Sequence, residues 1–184
     1  SSDLAPDLHC IPVGNAGNIT AYWKGYQEYR DSGVIDSVPR MWGFQAEGAA
    51  PIVHGKPVPK PETIATAIRI GNPASWKSAE AARDESGGQI SIVTDREIAE
   101  ASKFLASREG VFCEPASAAS VAGLIKMADA GALKPIAEAA GRPLRIVCIL
   151  TGHGLKDPDF AIREVGEVQE VPATMDAVLG VMGL

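Results

Sequence analysis

The chain has 184 residues, 46% of them apolar and 22% charged, with a formal net charge of −6. That length fits one ordinary soluble globular domain, able to bury a core without disulfide or metal staples. The acidic balance excludes a nonspecific nucleic-acid binder, which needs clustered Lys and Arg to displace counterions. No apolar run approaches the ~20 residues that cross a bilayer.

Short apolar runs alternate with longer amphipathic ones. Residues 8–13 (LHCIPV) read as a buried strand ending in glycine. From Ala16 to about Arg30, the residues Ile19, Tyr22, Trp23, Tyr26 and Tyr29 recur at helical steps and predict a helix with one packed face. Residues 41–45 read as the next strand, and 47–53 as a short helix stopped by Gly55. The proline-rich GKPVPKPET reads as an exposed connection, and 63–70 as a short helix or turn. A helix over 75–85 ends at Gly87 and Gly88, a strand follows over 89–93, and Thr94 or Asp95 caps a helix running to Arg108. Pro115 opens a helix that reaches about Ala130. Residues 144–150 (LRIVCIL) form the clearest buried strand, their continuous apolarity favouring a parallel sheet covered on both faces. The expected architecture is α/β: a three-layer αβα domain with a largely parallel sheet, whose ligands sit beyond the carboxyl ends of its strands.

Two loops occupy such positions. Gly14, Asn15, Ala16, Gly17 and Asn18 lead from the first strand into a helix. Two glycines let backbone N–H groups approach an anion, the helix start adds free donors and a positive dipole end, and Asn15 and Asn18 offer side-chain amides. The pattern is neither a Walker loop nor the dinucleotide fingerprint. Spacing alone leaves phosphate binding and a capped glycine turn as equal alternatives. After the last strand, Thr151 could bond a heteroaromatic ring nitrogen, and His153 between two glycines reads as a turn residue rather than a general acid–base. The small residues that follow Glu114 read as close helix packing. Arg69, inside an apolar run, either clamps an anion or pairs with a carboxylate.

Cys10, Cys113 and Cys148 read as free buried thiols suited to a reducing cytoplasm. The three histidines lack metal-ligand spacing, so no metal site is expected. The first ten residues show no signal-peptide pattern, and the absent initiator Met suggests a chain that starts within something longer.

PVGNAGNITAYWKGY (12–26), PETIATAIRIGNPASW (61–76), GVFCEPASAAS (110–120) and TGHGLKDP (151–158) together resemble the threonine synthase family, pyridoxal-phosphate enzymes of fold type II in the tryptophan-synthase-β-like group. The resemblance implies conversion of O-phospho-L-homoserine and water into L-threonine and phosphate. It implies pyridoxal 5′-phosphate as cofactor, its phosphate on the main-chain amides of Gly14, Asn15, Ala16, Gly17 and Asn18, and Thr151 facing the ring nitrogen. It also implies a cytoplasmic enzyme whose parent is a homodimer.

One departure is large. The family's serine-phenylalanine-lysine-aspartate stretch, which carries the Schiff-base lysine, has no match among the eight lysines here. Residues 1–184 are therefore expected to be the C-terminal, phosphate-binding part of a longer two-domain enzyme. No catalytic residue is expected in this chain, which should be inactive alone and expose a sheet edge that favours self-association. A threonine/serine dehydratase-like enzyme and a noncatalytic binding module of the same fold are the alternatives.

Overall fold

The computed structural model describes residues 5–165 and 170–183. Four strands, β1 (Leu8–Pro12), β2 (Arg40–Ala46), β3 (Gln89–Val93) and β4 (Ile146–Cys148), form one all-parallel sheet in the order β3-β2-β1-β4. Eight α-helices are described: α1 (Gly17–Asp31), α2 (Pro51–His54), α3 (Trp76–Glu85), α4 (Asp95–Arg108), α5 (Pro115–Asp129), α6 (Lys134–Ala140), α7 (Pro158–Val165) and α8 (Met175–Met182). Among the described residues no helix is long and apolar enough to cross a membrane.

Alternation along β1 divides the core in two. Leu8 and Cys10 point to one side with Trp42 and Phe44 of β2, where Ile98, Leu105 and the alanines of α5 cover them. Ile11 and Val13 point to the other, against Ile19 and Trp23 of α1 and Ala79 and Ala82 of α3. Three layers result, as expected for a parallel sheet that must bury both faces. The small-residue start of α5 is packing: residues 115–120 are all buried, and a Cβ at Gly123 would collide with the Phe44 ring.

Several expectations need correction. The 144–150 run is not a strand buried on both faces. β4 has three assigned residues at the sheet edge, and Val147 is 39% exposed. Arg145 and Ile149 still bond β1 on either side of it, so the apolar run keeps its ladder while lacking cover. The aromatic face of α1 is only partly packed, with Trp23 buried but Tyr22 and Tyr29 42% and 58% exposed. The 47–53 segment splits into a 3₁₀ turn (Glu47–Ala49) and α2, which Pro51 opens. The proline-rich connection is mostly exposed yet pinned, since Glu62 N–H donates to Gly48 O and Val58 N–H to Gly71 O. Helices α6, α7 and α8 were not anticipated.

Candidate cofactor site

The chain enters the sheet at β1, moves outward through β2 and β3, and returns through β4 on the opposite side of β1. The strand order therefore reverses between β1 and β4. Loops leaving neighbouring strands on either side of such a reversal diverge to opposite faces and leave a crevice at the carboxyl edge. The two loops singled out in the sequence are those that leave β1 and β4. Gly14, Asn15, Ala16, Gly17, Asn18 and Thr151 line one hollow of about 390 Å³, shared with Ala67, Ile68, Glu114 and Lys156.

At the β1 end, the backbone takes an uncommon turn. Ala16 adopts the left-handed conformation (φ 65°, ψ 7°), the only non-glycine among the described residues to do so, at a cost of about 1–2 kcal/mol. That conformation, followed at once by the first helical residue, makes successive N–H groups converge into a concave nest. Among the described residues, no acceptor takes a hydrogen bond from the N–H groups of residues 14–18, and the helix dipole of α1 adds its positive end. Gly14 lets the loop press on the next turn, since a Cβ there would lie 2.9 Å from Ile68 Cα and 3.1 Å from Ala67 O. Gly17 is different: a Cβ would touch nothing within 4 Å, so its hydrogen keeps the mouth open.

The two asparagines differ, and Asn18 does work beyond that expected of it. Asn18 Nδ2 donates to Pro12 O at 2.9 Å and its Oδ1 accepts from Ile19 N at 2.8 Å. Its amide therefore clamps the loop, giving one Nδ2 hydrogen to Pro12 O. Asn15 Oδ1 accepts from Ala74 N at 2.7 Å, while the exposed side chain keeps its Nδ2 unengaged among the described hydrogen bonds.

At the β4 end, Thr151 Oγ1 lies 3.0 Å from Ser117 Oγ, which also accepts from Gly152 N at 2.8 Å. Ser120 Oγ donates to Ile149 O at 3.1 Å. Two serines of α5 thus fix the height and direction of the Thr151 loop. A Cβ at Gly152 would meet the Glu114 carboxylate and displace it from its present place. His153 behaves as a turn residue, its Nδ1 accepting from Leu155 N at 3.2 Å. Arg69 lies outside the hollow, on another depression with Asp95, Asp157 and Arg163, and it makes no ion pair among the described residues.

Lys156 and Glu114 had not been singled out for this site. Lys156 is the one cationic side chain lining the hollow among the described residues, and its Nζ lies 3.8 Å from Oε1 of the buried Glu114. Its place five residues beyond Thr151 in the same loop was the available signal. A 3₁₀ turn over Gly154–Lys156 folds the lysine back over the strand end, which spacing alone does not reveal.

The arrangement offers neutral donors for a phosphate at one end, a hydroxyl at the other, and one cation at the rim. It suits a flat, phosphorylated heteroaromatic compound. A threonine synthase of Mycobacterium leprae is 55% identical over 180 residues, covering 98% of this chain and 48% of its own length. One of Synechocystis sp. is 58% identical over 165 residues, covering 88% of this chain and 40% of its own length. The chain spans about half the length of the curated relatives it matches. A solved threonine deaminase of Solanum lycopersicum shares the fold, with a TM-score of 0.62 at 16% identity over 90% of this chain and 42% of its own. Residues 2–152 match the model of the family described as pyridoxal-phosphate dependent enzyme, and the chain belongs to that family.

Proposed function

We propose that residues 1–184 are the cofactor-holding C-terminal part of a longer two-domain threonine synthase, which turns O-phospho-L-homoserine and water into L-threonine and phosphate. The observation that carries this reading is the single hollow lined by both the 14–18 loop and Thr151. Identity of 50–58% to curated threonine synthases supports the synthase over a dehydratase, whose solved relatives share the fold at 16–19%.

Pyridoxal phosphate, the cofactor of the family, supplies an electron sink for carbanions formed on an amino-acid substrate. In this chain, the N–H groups of Gly14, Asn15, Ala16, Gly17 and Asn18 would hold its phosphate, with Lys156 adding charge from the rim. Thr151 would face the ring nitrogen. A hydroxyl there, unlike a carboxylate, does not force that nitrogen to stay protonated, and Ser117 keeps the hydroxyl in place. The Schiff-base lysine would come from outside this chain. A cytoplasmic setting accords with three free thiols, and the parent would work as a homodimer.

The test is a titration of the purified chain with pyridoxal phosphate. Binding should give a free-aldehyde spectrum that borohydride does not lock onto protein. Lys156→Met should weaken it about three- to tenfold, the equivalent of about 1 kcal/mol, and weaken unphosphorylated pyridoxal little. The chain alone should release no phosphate from O-phospho-L-homoserine. A longer protein containing it should yield threonine and phosphate in equal amounts, and a 2-keto acid product would overturn the reading.

A further inference from the structure

Two of the three cysteines meet across the sheet beneath the hollow. Cys10 of β1 and Cys148 of β4 are register partners in the parallel pair, so both side chains leave the sheet on one face. Both pack into the core on the α4 and α5 side. Neighbouring strands run about 4.8 Å apart, within the ~4.4–6.8 Å that separates the Cα atoms of a disulfide. Cys10 is fully buried, whereas Cys148 is half-buried on the edge strand. Each thiol acts on the other: the facing Cys10 thiol eases Cys148 toward thiolate, and the same contact, reinforced by burial, pushes Cys10 the opposite way. Cys113 stands apart, on the bridge to His153, with its thiol pushed up by burial.

We propose that Cys10 and Cys148 form a reversible disulfide in the folded chain on exposure to a small-molecule disulfide of the oxidised-glutathione class. Cys148, the accessible member, loses its proton to water and attacks one sulfur of the oxidant, and the first glutathione leaves as a thiolate. Cys10 then gives its proton to that thiolate, and its sulfur attacks Cys148 sulfur, displacing the second glutathione, which takes up a proton from water. Two protein thiols are oxidised and one glutathione disulfide is reduced to two thiols. The bond has a direct consequence for the hollow. Cys10 lies four residues before Gly14 and Cys148 three before Thr151, so it ties together the bases of both loops. It also anchors β4, which has only three register pairs to β1.

The experiment incubates the native chain, Cys148→Ser and Cys113→Ser with oxidised glutathione, blocks the remaining thiols with N-ethylmaleimide and maps the peptides by mass. The chain and Cys113→Ser should show the Cys10 and Cys148 peptides joined, with loss of two hydrogens, no retained glutathione and reversal by dithiothreitol. Cys148→Ser should leave Cys10 reduced. Hydrogen exchange at the amides of residues 146–151 should slow in the joined form. The proposal is overturned if Cys148 keeps glutathione while Cys10 stays free, or if Cys10 joins Cys113. It is equally overturned if both thiols stay reduced in protein whose circular dichroism is native, or if exchange in the joined form is unchanged.

Discussion

His9 stands in the central strand with 1% of its surface exposed, its Nδ1 3.0 Å from Tyr26 Oη and its Nε2 without a partner. Burial pushes the imidazole down to about 4 from its ordinary 6.5, because a charged ring there would lose its hydration. The unfolded chain takes up that proton as the pH falls through 6.5, and the folded chain only near 4. The unfolded state binds more protons across the interval, so stability falls as the pH drops through it, by about 3 kcal/mol in all. Asp7, whose carboxyl Arg142 holds below the usual range, loses its contribution at lower pH still. His9→Phe should flatten the dependence of urea unfolding on pH between 6.5 and 4, and a slope equal to wild type would exonerate the ring. Residue identity announced some of the site and hid the rest. Gly14, Gly17 and Thr151 stand out because they follow directly on apolar runs that read as strands, although spacing alone leaves a capped glycine turn equally open. The internal role of Asn18 was hidden, since an amide serves equally as a ligand donor and as a loop clamp, and only the position of Pro12 O decides.

At the level of elements, the best-read feature is the start of α4. Thr94 Oγ1 accepts from Glu97 N at 3.1 Å and Glu97 Oε2 accepts from Thr94 N at 2.7 Å, the reciprocal pair that a T-x-x-E spacing encodes. Glu97 also pairs with Lys126 of α5 at 3.2 Å, so the cap joins the two helices that cover one face of the sheet. Thr94→Ala should cost about 1 kcal/mol and lower the melting temperature by about 2–4 °C, and calorimetry showing no shift would remove the cap from the list of stabilising contacts. Such pairs are local, which is why the sequence displays them. The failure at 144–150 has the opposite origin. Continuous apolarity reports that a segment avoids water in some context, but not whether a neighbouring strand or helix covers it in this chain. Helices α6 and α8 have no fully buried residue among those described; α6 leans on the core only through the partly buried Ile136, too little for a periodic apolar face to show.

For the molecule as a whole, the decisive property is the reversal of strand order between β1 and β4. It places the loops after residues 12 and 148 side by side, although more than a hundred residues separate them. The same architecture leaves large apolar groups in water: Tyr29 at 58%, Ile162 at 68%, Met175 at 72% and Met182 at 63% exposure. Together with the thinly covered edge strand β4, they present surface that another chain can cover. The sedimentation coefficient should therefore rise with protein concentration, and a monodisperse monomer throughout the micromolar range would refute this.

The sequence by itself determined the alternation of strands and helices, a capped start of α4 at Thr94 or Asp95, the glycine loop after β1 and the hydroxyl at residue 151. Each depends on residues within a few positions of one another, where backbone sterics and periodic burial act directly. Only the tertiary structure decided that β4 lies at an edge, that Lys156 and Glu114 join the hollow, and that Cys10 faces Cys148. Those facts depend on strand order and register, which are set by the packing of distant segments and leave no signature at any one position.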